Sequence, residues 1–298
     1  MIITIDPSMS INDTISKMSE NDILHLKKGT YFEKVKLIKS NITIIGEGKD
    51  TIISGKDYYN KIHDDNKEFL TVRTYTVLIK GDNVTLKNLT VRNESVPNYI
   101  YGQAVALEVL GDHFIAENIN LISAQDTLLT GPLPEDLTIR YKNLLPSDEL
   151  ETTPSRQLYK NCHIEGDVDF IFGCGTCYFD HCELHSVGKG YISAPSHPQN
   201  VKYGYVFNEC VLTSEKTPDK TVFLSRPWRD YGAAMFINCK VLGNHIKDEL
   251  FNHWQVSREK TCRFYIYNTC DTSHMVNFAH ELSEDEANKI NQKEVLGF

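Results

Sequence analysis

A short pattern of apolar and polar positions recurs along most of the chain. An aromatic or aliphatic residue is followed by a gap, a polar residue that is often Asn, then Leu or Cys, another gap and an aliphatic residue. Most copies lie roughly 20 to 31 residues apart, a period typical of repeat architectures. The copies occupy 86–91, 117–121, 160–164, 179–184, 207–212, 236–241 and 267–270.

Short alternating strands at this period predict stacked coils, because a single coil cannot bury its own apolar face. Aliphatic residues and cysteines at the equivalent position would form an inward ladder along the core. We therefore expect an all-β protein, a right-handed parallel β-helix forming one domain over residues 1–298. A β-sandwich is the second interpretation, although its turns come at shorter intervals.

Both ends of the chain show helical spacing. Residues 8–20 carry a candidate cap, Ser10, and apolar residues at helical intervals, which are Met9, Ile11, Ile15 and Met18. Residues 23–26 then have the alternation of a strand. Near the C-terminus, Ser283 and Glu286 form a capping box that predicts a helix over 287–296. We expect a short helix at each end of the solenoid.

One interval between repeats, from residue 119 to residue 162, is longer than the others. The additional residues, 130–155, are rich in proline and charge, so we expect an inserted loop. In the sequence, the segment lies between Asp126 and Asp169. This position would place it beside the candidate site, where it would form a wall of the substrate groove.

A single carboxylate stands inside the apolar run Val168-Asp169-Phe170-Ile171-Phe172-Gly173. A carboxylate among apolar side chains loses water, which raises the cost of its charge unless a cation or hydrogen-bond donors compensate. Three other segments carry suitable partners, namely Gln103 in 102–107, Gln125 and Asp126 in 125–128, and Arg226 and Trp228 in 224–229. Two acids, two carboxamides and an arginine are a set suited to opening an ester.

These four segments, together with Gly29-Thr30-Tyr31-Phe32-Glu33, resemble in sequence and order the signature motifs of the pectin methylesterases, or pectinesterases. The resemblance extends from about Ile11 to the C-terminus and identifies the chain as a suspected bacterial-type, intracellular member. It implies hydrolysis of galacturonate methyl esters to carboxylate and methanol, without cofactor or metal. Two positions depart from the family pattern, Leu129 where Tyr is common and Ser225 where Gly is common.

The resemblance implies a role for each candidate. Asp169 would be the nucleophile, and Arg226 would keep it ionised because a nearby guanidinium lowers a carboxyl pKa. Asp126 would protonate the departing methanol and then activate water, since two carboxyls in one site divide these tasks. Gln103 and Gln125 would stabilise the oxyanion. The sugar groove would be lined by Trp228, Phe172 and Val168.

Each candidate also has a structural interpretation. Asp169 is alternatively a buried salt-bridge partner, and Asp126 alternatively caps a turn. The two glutamines alternatively bond each other between coils. Val168 and Phe172 alternatively pack in the core, because residues alternate faces along a strand. Phe170 and Ile171 are assigned to the core.

The amino-acid composition limits the classes of molecule that the protein is expected to bind. The 298 residues are 41% hydrophobic and 24% charged, and the formal net charge is -9. An acidic chain of this kind does not suit nucleic acid, which requires clustered Lys and Arg. It also disfavours fully de-esterified polygalacturonate. We therefore expect a methyl-esterified oligogalacturonide or pectin as the partner, and a monomeric protein.

The first residues lack the basic and apolar regions of a secretory signal, and no apolar run reaches the length of a membrane span. We expect a cytoplasmic protein that does not contact a membrane; a leader preceding Met1 would instead mean secretion. The eight cysteines are expected to be buried free thiols. Cys174-Gly175-Thr176-Cys177 has the spacing of zinc ligands, but no second matched pair follows it, so no metal site is assigned.

Other functions remain open at this point. The chain would be a carbohydrate-binding β-helix if its catalysis had been lost, although both acids, both glutamines and the arginine are present. An esterase or thioesterase acting on another acyl group has the same chemistry. A lyase or glycosidase on the same scaffold would depend on calcium or on paired acids that flank a glycosidic bond.

Overall fold

Parallel strands alternate between the faces of a solenoid in the computed structural model, which describes residues 1–298. The strands are β1 (Ile2–Ile5), β2 (Ile23–Leu26), β3 (Gly29–Phe32), β4 (Val35–Leu37), β5 (Thr43–Gly46), β6 (Thr51–Gly55), β7 (Val77–Ile79), β8 (Thr85–Lys87), β9 (Thr90–Asn93), β10 (Leu107–Val109), β11 (Phe114–Glu117), β12 (Asn120–Ile122), β13 (Leu128–Thr130), β14 (Arg156–Lys160), β15 (His163–Gly173), β16 (Thr176–Asp180), β17 (Glu183–Pro195), β18 (Tyr205–Asn208), β19 (Val211–Thr213), β20 (Val222–Ser225), β21 (Ala233–Ile237), β22 (Lys240–Val241), β23 (Arg263–Tyr267) and β24 (Ala279–Glu281).

One sheet has 11 strands, in the order β1-β2-β5-β8-β11-β14-β16-β18-β21-β23-β24. The second sheet has 13 strands. Its two parts, β3-β6-β9-β12 and β13-β10-β7-β4, both pair with the long strand β15. Strand β15 also pairs with β17, β17 pairs with β19 and β20, and β19 pairs with β22. Each strand pairs with the equivalent strand of the next coil in parallel, as Leu107, Leu128 and Ile171 do. The parallel β-helix prediction is confirmed, and the sandwich alternative is wrong because its sheets would be antiparallel.

The polar residue of the repeat makes the corner between the two sheets. Asn88, Asn118, Asn161, Asn238 and Asn268 all have left-handed backbone φ, between 43° and 54°. Asn tolerates this conformation better than most residues, because its short polar side chain can bond locally. The Asn118 amide also donates to Asn88 Oδ1 at 3.3 Å. The recurring Asn is therefore a one-residue turn that lets each coil change sheets.

The next residue of the repeat points inward, as the sequence predicts. Cys162, Cys182, Cys210 and Cys239 are buried, and each thiol donates to a backbone carbonyl of the preceding coil at 3.3 to 3.5 Å. A second ladder of stacked rings runs beside them, formed by Tyr159, Phe179, Phe207 and Phe236. All eight cysteines are free and seven are buried. No group of His, Cys, Asp or Glu side chains is arranged to hold a metal ion.

Five α-helices accompany the solenoid: α1 (Ile11–Lys17), α2 (Asn98–Tyr101), α3 (Glu135–Tyr141), α4 (Glu284–Ala287) and α5 (Gln292–Leu296). Helix α1 is shorter than the predicted 8–20, but Ser10 caps it as expected, and Ile11 and Ile15 are buried. Glu33 accepts hydrogen bonds from the backbone N–H groups of Ile11 and Asn12 at 2.7 and 3.0 Å. The Glu of the Gly29–Glu33 motif thus fixes the N-terminal helix. None of the helices is long and apolar enough to cross a membrane.

The predicted continuous helix over 287–296 is wrong. The capping box of Ser283 and Glu286 forms as expected, but α4 ends at Ala287. A second helix, α5, then begins after Asn291, whose side chain accepts from the Glu294 N–H at 3.1 Å. The side chain of Asn291 thus caps the start of a new helix inside the predicted one. The spacing of the apolar residues in this segment does not reveal the break.

The segment predicted as an inserted loop contains regular structure. Strand β13 ends at Thr130, α3 follows, and a 3-10 helix spans Ser147–Leu150. Within this segment, three apolar residues at helical intervals are buried, namely Leu137, Tyr141 and Leu145. The loop prediction is therefore wrong for these residues, because an apolar stripe of three residues is masked by the prolines and charges around it.

Candidate active site

The candidate residues come from consecutive coils of the second sheet. Gln103 precedes β10 and forms a parallel bridge with Gln125, which precedes β13. The backbone N–H of Asp126 donates to the carbonyl of Val168 at 3.1 Å, and this bond places Asp126 beside the β15 segment that carries Asp169. Three segments that are distant in sequence thus meet on three neighbouring coils, because parallel stacking brings equivalent positions together.

Asp126 and Asp169 share an uncommon backbone conformation. Their φ angles are 64° and 51°, in the left-handed region. Pairing of β15 with β17 is also irregular between Gly166 and Ile171. Phe170 and Ile171, directly after Asp169, are fully buried in the core as predicted. The left-handed residue interrupts strand alternation, so a carboxylate can face outward within an apolar run.

Arg226 binds Asp169 through two hydrogen bonds. Nε donates to Oδ1 at 2.8 Å and Nη2 donates to Oδ2 at 2.7 Å, which is the paired geometry favoured between guanidinium and carboxylate. Burial raises the pKa of Asp169, which is only 6% exposed, and Arg226 opposes this rise. Arg226 thus lowers the pKa of Asp169 as expected, but burial has the larger effect, so the pKa stays above its ordinary value.

Asp126 is the second buried carboxyl. Burial raises its pKa well above the ordinary value, the charge of Asp169 raises it further, and Arg226 opposes the rise. Asp169 has a guanidinium as a direct partner and Asp126 has none. The two carboxyls therefore differ in environment in the way that favours an ionised Asp169 beside a protonated Asp126.

A third carboxyl, that of Asp167, was missed in the sequence. Asp167 is 9% exposed, and burial raises its pKa to about 6. It accepts a hydrogen bond from the Val168 N–H at 2.6 Å, and its charge contributes to the raised pKa of Asp126. Its position two residues before the candidate Asp169 was the available signal.

The candidates surround a cavity of about 530 Å³. Of the eight predicted site residues, seven line it and Val168 does not; the seven are Gln103, Gln125, Asp126, Asp169, Phe172, Arg226 and Trp228. Val168 is half-buried and pairs with Tyr191 of the next coil. The prediction that Val168 lines the groove is therefore wrong. The left-handed residue Asp169 lies between Val168 and Phe172, so strand alternation does not place these two side chains on the same face.

The apolar side of the cavity is built from Phe172 and Trp228. Their rings meet edge to face, with centroids 5.7 Å apart. The guanidinium of Arg229 lies 4.6 Å from the centre of the Trp228 ring, and Arg229 also lines the cavity. An apolar ring face beside polar groups suits a sugar, which has both kinds of surface.

The inserted segment closes one side of this cavity. Leu133, Leu137, Arg140 and Tyr141 all contribute to its lining. The apolar members belong to a separate cluster of 12 buried residues, which also contains Leu129 and Phe172. The insertion is thus packed onto the same surface that carries the candidate residues.

Comparison with known families decides the assignment. The pectinesterase family model matches residues 4–132 and 136–280. The chain belongs to the pectinesterase family. It is therefore a carboxylic ester hydrolase of the class that removes methyl esters from pectin.

Relatives within the family are distant in sequence. Pectinesterase 31 of Arabidopsis thaliana is 27% identical over 279 residues, which cover 89% of this chain and 80% of the relative. Probable pectinesterase/pectinesterase inhibitor 23 of the same plant is 29% identical over 235 residues, covering 74% of this chain but only 36% of the relative. The chain thus spans most of the first relative and about a third of the second.

Solved pectin methylesterases share the fold. The enzyme from carrot has a TM-score of 0.82 at 21% identity, covering 99% of this chain and 92% of the other. PemA from Erwinia chrysanthemi has a TM-score of 0.79 at 23% identity, covering 99% and 96%. A pectin methylesterase in complex with a hexasaccharide has a TM-score of 0.78 at 24% identity, covering 97% and 92%.

Further residues line the pectinesterase cavity without any signal in the sequence analysis. They include Trp254, Tyr59 and Thr71, which lie outside the recognised motifs. Trp254 precedes a 3-10 helix at Val256–Lys260, and Thr71 opens another at Thr71–Arg73. These loop residues line the cavity because the coils stack on one another. A short sequence motif contains no information about that stacking.

Proposed function

We propose that the chain hydrolyses the methyl esters of short oligogalacturonides through Asp169 as a covalent nucleophile. The observation that carries the proposal is the contrast between the two buried carboxyls. Asp169 is held by two hydrogen bonds from Arg226, whereas Asp126 has burial and a neighbouring negative charge to keep it protonated. A nucleophile and an acid are thus available side by side.

In the first half-reaction, a carboxylate oxygen of Asp169 attacks the ester carbonyl carbon and forms a tetrahedral oxyanion. The intermediate collapses by breaking the bond to methoxide. Asp126 gives its proton to the departing oxygen, so methanol leaves and Asp126 becomes a carboxylate. The product on the enzyme is a mixed anhydride between Asp169 and the galacturonate.

In the second half-reaction, Asp126 accepts a proton from water as the water oxygen attacks the anhydride. The second tetrahedral intermediate releases the Asp169 carboxylate, and the galacturonic acid leaves as its carboxylate after losing a proton to solvent. Both residues then have their starting protonation states. The balance is one ester and one water giving methanol, a carboxylate and a proton.

Gln103 and Gln125 are proposed to stabilise the oxyanion. Their carboxamides line the cavity on adjacent coils, next to Asp126. A side-chain N–H donor aimed at a developing oxyanion contributes on the order of 3 kcal/mol in favourable cases. Two donors on neighbouring coils are suitably placed to share one oxygen.

The preference for short substrates rests on the insertion. A polymer requires a groove that is open along its length, whereas α3 and the residues around it cover one side of this cavity. The same wall adds Arg140 to the cavity lining, beside Arg226 and Arg229. The site is thus more cationic than the whole chain, and it tolerates free carboxylates on neighbouring sugars.

The test is methanol release from methyl-esterified trigalacturonate in the presence of a chelator, for the wild type and Asp169→Ala. We expect release by the wild type and a loss of at least about a thousandfold in the variant, which removes the nucleophile. Asp64→Ala is the matched control, because Asp64 is an exposed carboxylate outside the cavity. Circular dichroism checks that each variant is folded.

Other results would change the assignment. Residual activity of more than a few per cent in folded Asp169→Ala would contradict the nucleophile. Absence of release by the wild type, with binding of the trisaccharide retained, would indicate a binding protein or a different acyl substrate. Equal rates per ester on long pectin and on the trimer would contradict the length preference alone.

A further inference from the structure

The pairing of Arg226 with Asp169 spans an intervening coil. Asp169 lies on β15, and Arg226 directly follows β20, while β17 lies between these two strands. Neighbouring strands are about 4.8 Å apart, so the two backbones are separated by roughly 9 to 10 Å. The long arginine side chain must therefore cross β17 to reach its carboxylate.

Tyr191 is the residue of β17 that lies under this crossing. It pairs with Val168, one residue before Asp169, and with Phe223, three residues before Arg226. Its ring centre is 3.8 Å from the Cζ atom of Arg226. That distance corresponds to a guanidinium stacked on the face of the ring.

Trp254 provides a second aromatic surface for the same cation. The Trp254 ring centre is 3.9 Å from Arg226 Cζ. The guanidinium thus has two aromatic rings within 4 Å, those of Tyr191 and Trp254. The edge of the guanidinium then remains free for its two hydrogen bonds to Asp169.

Tyr191 is itself held in place by stacking. Its ring lies parallel to that of Phe223 on the next coil, with centroids 5.3 Å apart and an interplanar angle of 7°. The Lys247 ammonium lies 5.0 Å from the centre of the Phe223 ring. Tyr191 does not line the cavity, whereas Trp254 does. Of the two rings, Tyr191 is thus the one that contacts Arg226 without lining the cavity.

We propose that Tyr191 is a positioning residue for the esterase reaction, which fixes the plane of the Arg226 guanidinium so that it holds the Asp169 carboxylate in the attacking orientation. This inference rests on the proposed role of Asp169. An aromatic face restricts an arginine to the plane parallel to the ring while leaving its in-plane donors free. An aliphatic side chain at 191 would fill space without defining that plane.

The catalytic effect follows from geometry. A carboxylate nucleophile displaced by about 1 Å loses on the order of a hundredfold in rate. The groups facing Asp169 are Arg226 from the end of β20, Asp126 from the turn before β13, and Asp167 on its own strand. Arg226 is the only cation among them. If Arg226 moves away, nothing opposes the effect of burial, so protonation of Asp169 extends to higher pH.

The test compares Tyr191→Leu, Tyr191→Phe and the control Tyr203→Leu, which removes another half-buried tyrosine ring that lies outside the cavity and contacts Lys202 instead of Arg226. We expect kcat to fall by about ten- to a hundredfold in Tyr191→Leu with little change in KM, and to stay within about twofold in the other two. The acid limb of the pH profile should move to higher pH in Tyr191→Leu alone. Equal losses in Tyr191→Leu and Tyr191→Phe, or an unchanged Tyr191→Leu, would overturn the inference.

A second readout does not depend on turnover. The Nε–H of Arg226 that donates to Asp169 should give a protected guanidinium signal in NMR spectra of the wild type and Tyr191→Phe. We expect that protection to be lost in Tyr191→Leu. If the wild type shows no esterase activity but this pattern holds, the proposed function fails, although Tyr191 still orients the Arg226 guanidinium. If activity is found but protection survives in Tyr191→Leu, only the positioning role fails.

Discussion

Arg229 donates two hydrogen bonds to Asp136, one from Nε at 3.0 Å and one from Nη2 at 2.6 Å. Asp136 lies in the first turn of α3, and Arg229 is the last residue of the segment 224–229 that carries Arg226 and Trp228. The inserted segment is thereby tied to the substrate side of the site. If the insertion sets the preference for short substrates, as proposed above, breaking this contact should change specificity and leave the chemistry intact.

Asp136→Ala is predicted to loosen this wall. Because an exposed ion pair contributes about 0.2 to 1 kcal/mol, we expect kcat/KM for the esterified trimer to fall by less than about fivefold. The rate on long pectin should stay constant or rise, so the ratio of polymer to trimer activity increases. Asp248→Ala removes a comparable surface pair with Lys220, 2.7 Å long, and should leave the ratio unchanged. A ratio that moves equally in both variants would refute the connection.

Asp126→Asn is predicted to lose at least about a hundredfold in kcat on the methyl ester, since a carboxamide neither donates a proton to methoxide nor accepts one from water. A trifluoroethyl ester has a leaving group that needs little protonation. Acylation by Asp126→Asn should therefore recover in part on this substrate, measured as a burst of released alcohol. Asp169→Ala should give no burst with either ester. Equal defects of Asp126→Asn on both esters would argue against its role as the acid.

Asp167→Asn is predicted to change the pH profile more than the maximal rate. With a pKa raised to about 6, Asp167 becomes negatively charged as pH rises through that value, and this charge favours the protonated form of Asp126. The neutral variant lacks that support. The upper limb of the kcat profile should then move to lower pH, while the maximum stays within a few-fold. A profile superimposable on that of the wild type would show that Asp167 has no such influence.

Glu108→Gln is predicted to stabilise the protein at neutral pH without altering activity. Glu108 is 1% exposed, one of its oxygens has no hydrogen-bond partner, and its pKa is raised by burial and by Glu149, with Lys34 and Lys36 opposing. When a folded-state pKa is raised, the unfolded chain releases its proton first as pH increases. Stability is therefore lost between the unfolded and folded pKa values. The variant should gain Tm relative to wild type at pH 7 but not at pH 3.

A control with the opposite sign is available. The side-chain hydrogen bond and charge of Lys87 lower the pKa of Glu117, at a distance of 2.6 Å. A lowered folded-state pKa contributes stability above the unfolded value, which is lost as pH falls. Glu117→Gln should therefore be slightly less stable than wild type at pH 7 and equal to it at low pH. If both variants changed Tm in the same direction, the assignment of these shifts would be wrong.

Local patterns in the sequence predicted the coil and its inward ladder correctly. The ladder of Cys162, Cys182, Cys210 and Cys239 followed from one repeated position, because each coil must bury the same face against its neighbours. Prediction was weaker where a few residues act alone. The break at Asn291 and helix α3 each depend on a cap or on three apolar side chains, which is too short a signal for periodicity.

The sequence by itself determined the repeating fold, the family and the chemical types in the site, since motif residues and the apolar period are written in local order. It did not determine which residues meet across coils. The register of the coils decided that Tyr191 lies beneath Arg226, that Asp167 joins Asp126 and Asp169, and that Val168 stays out of the cavity. Such contacts depend on stacking and on left-handed backbone at single residues, so only the tertiary structure defines them.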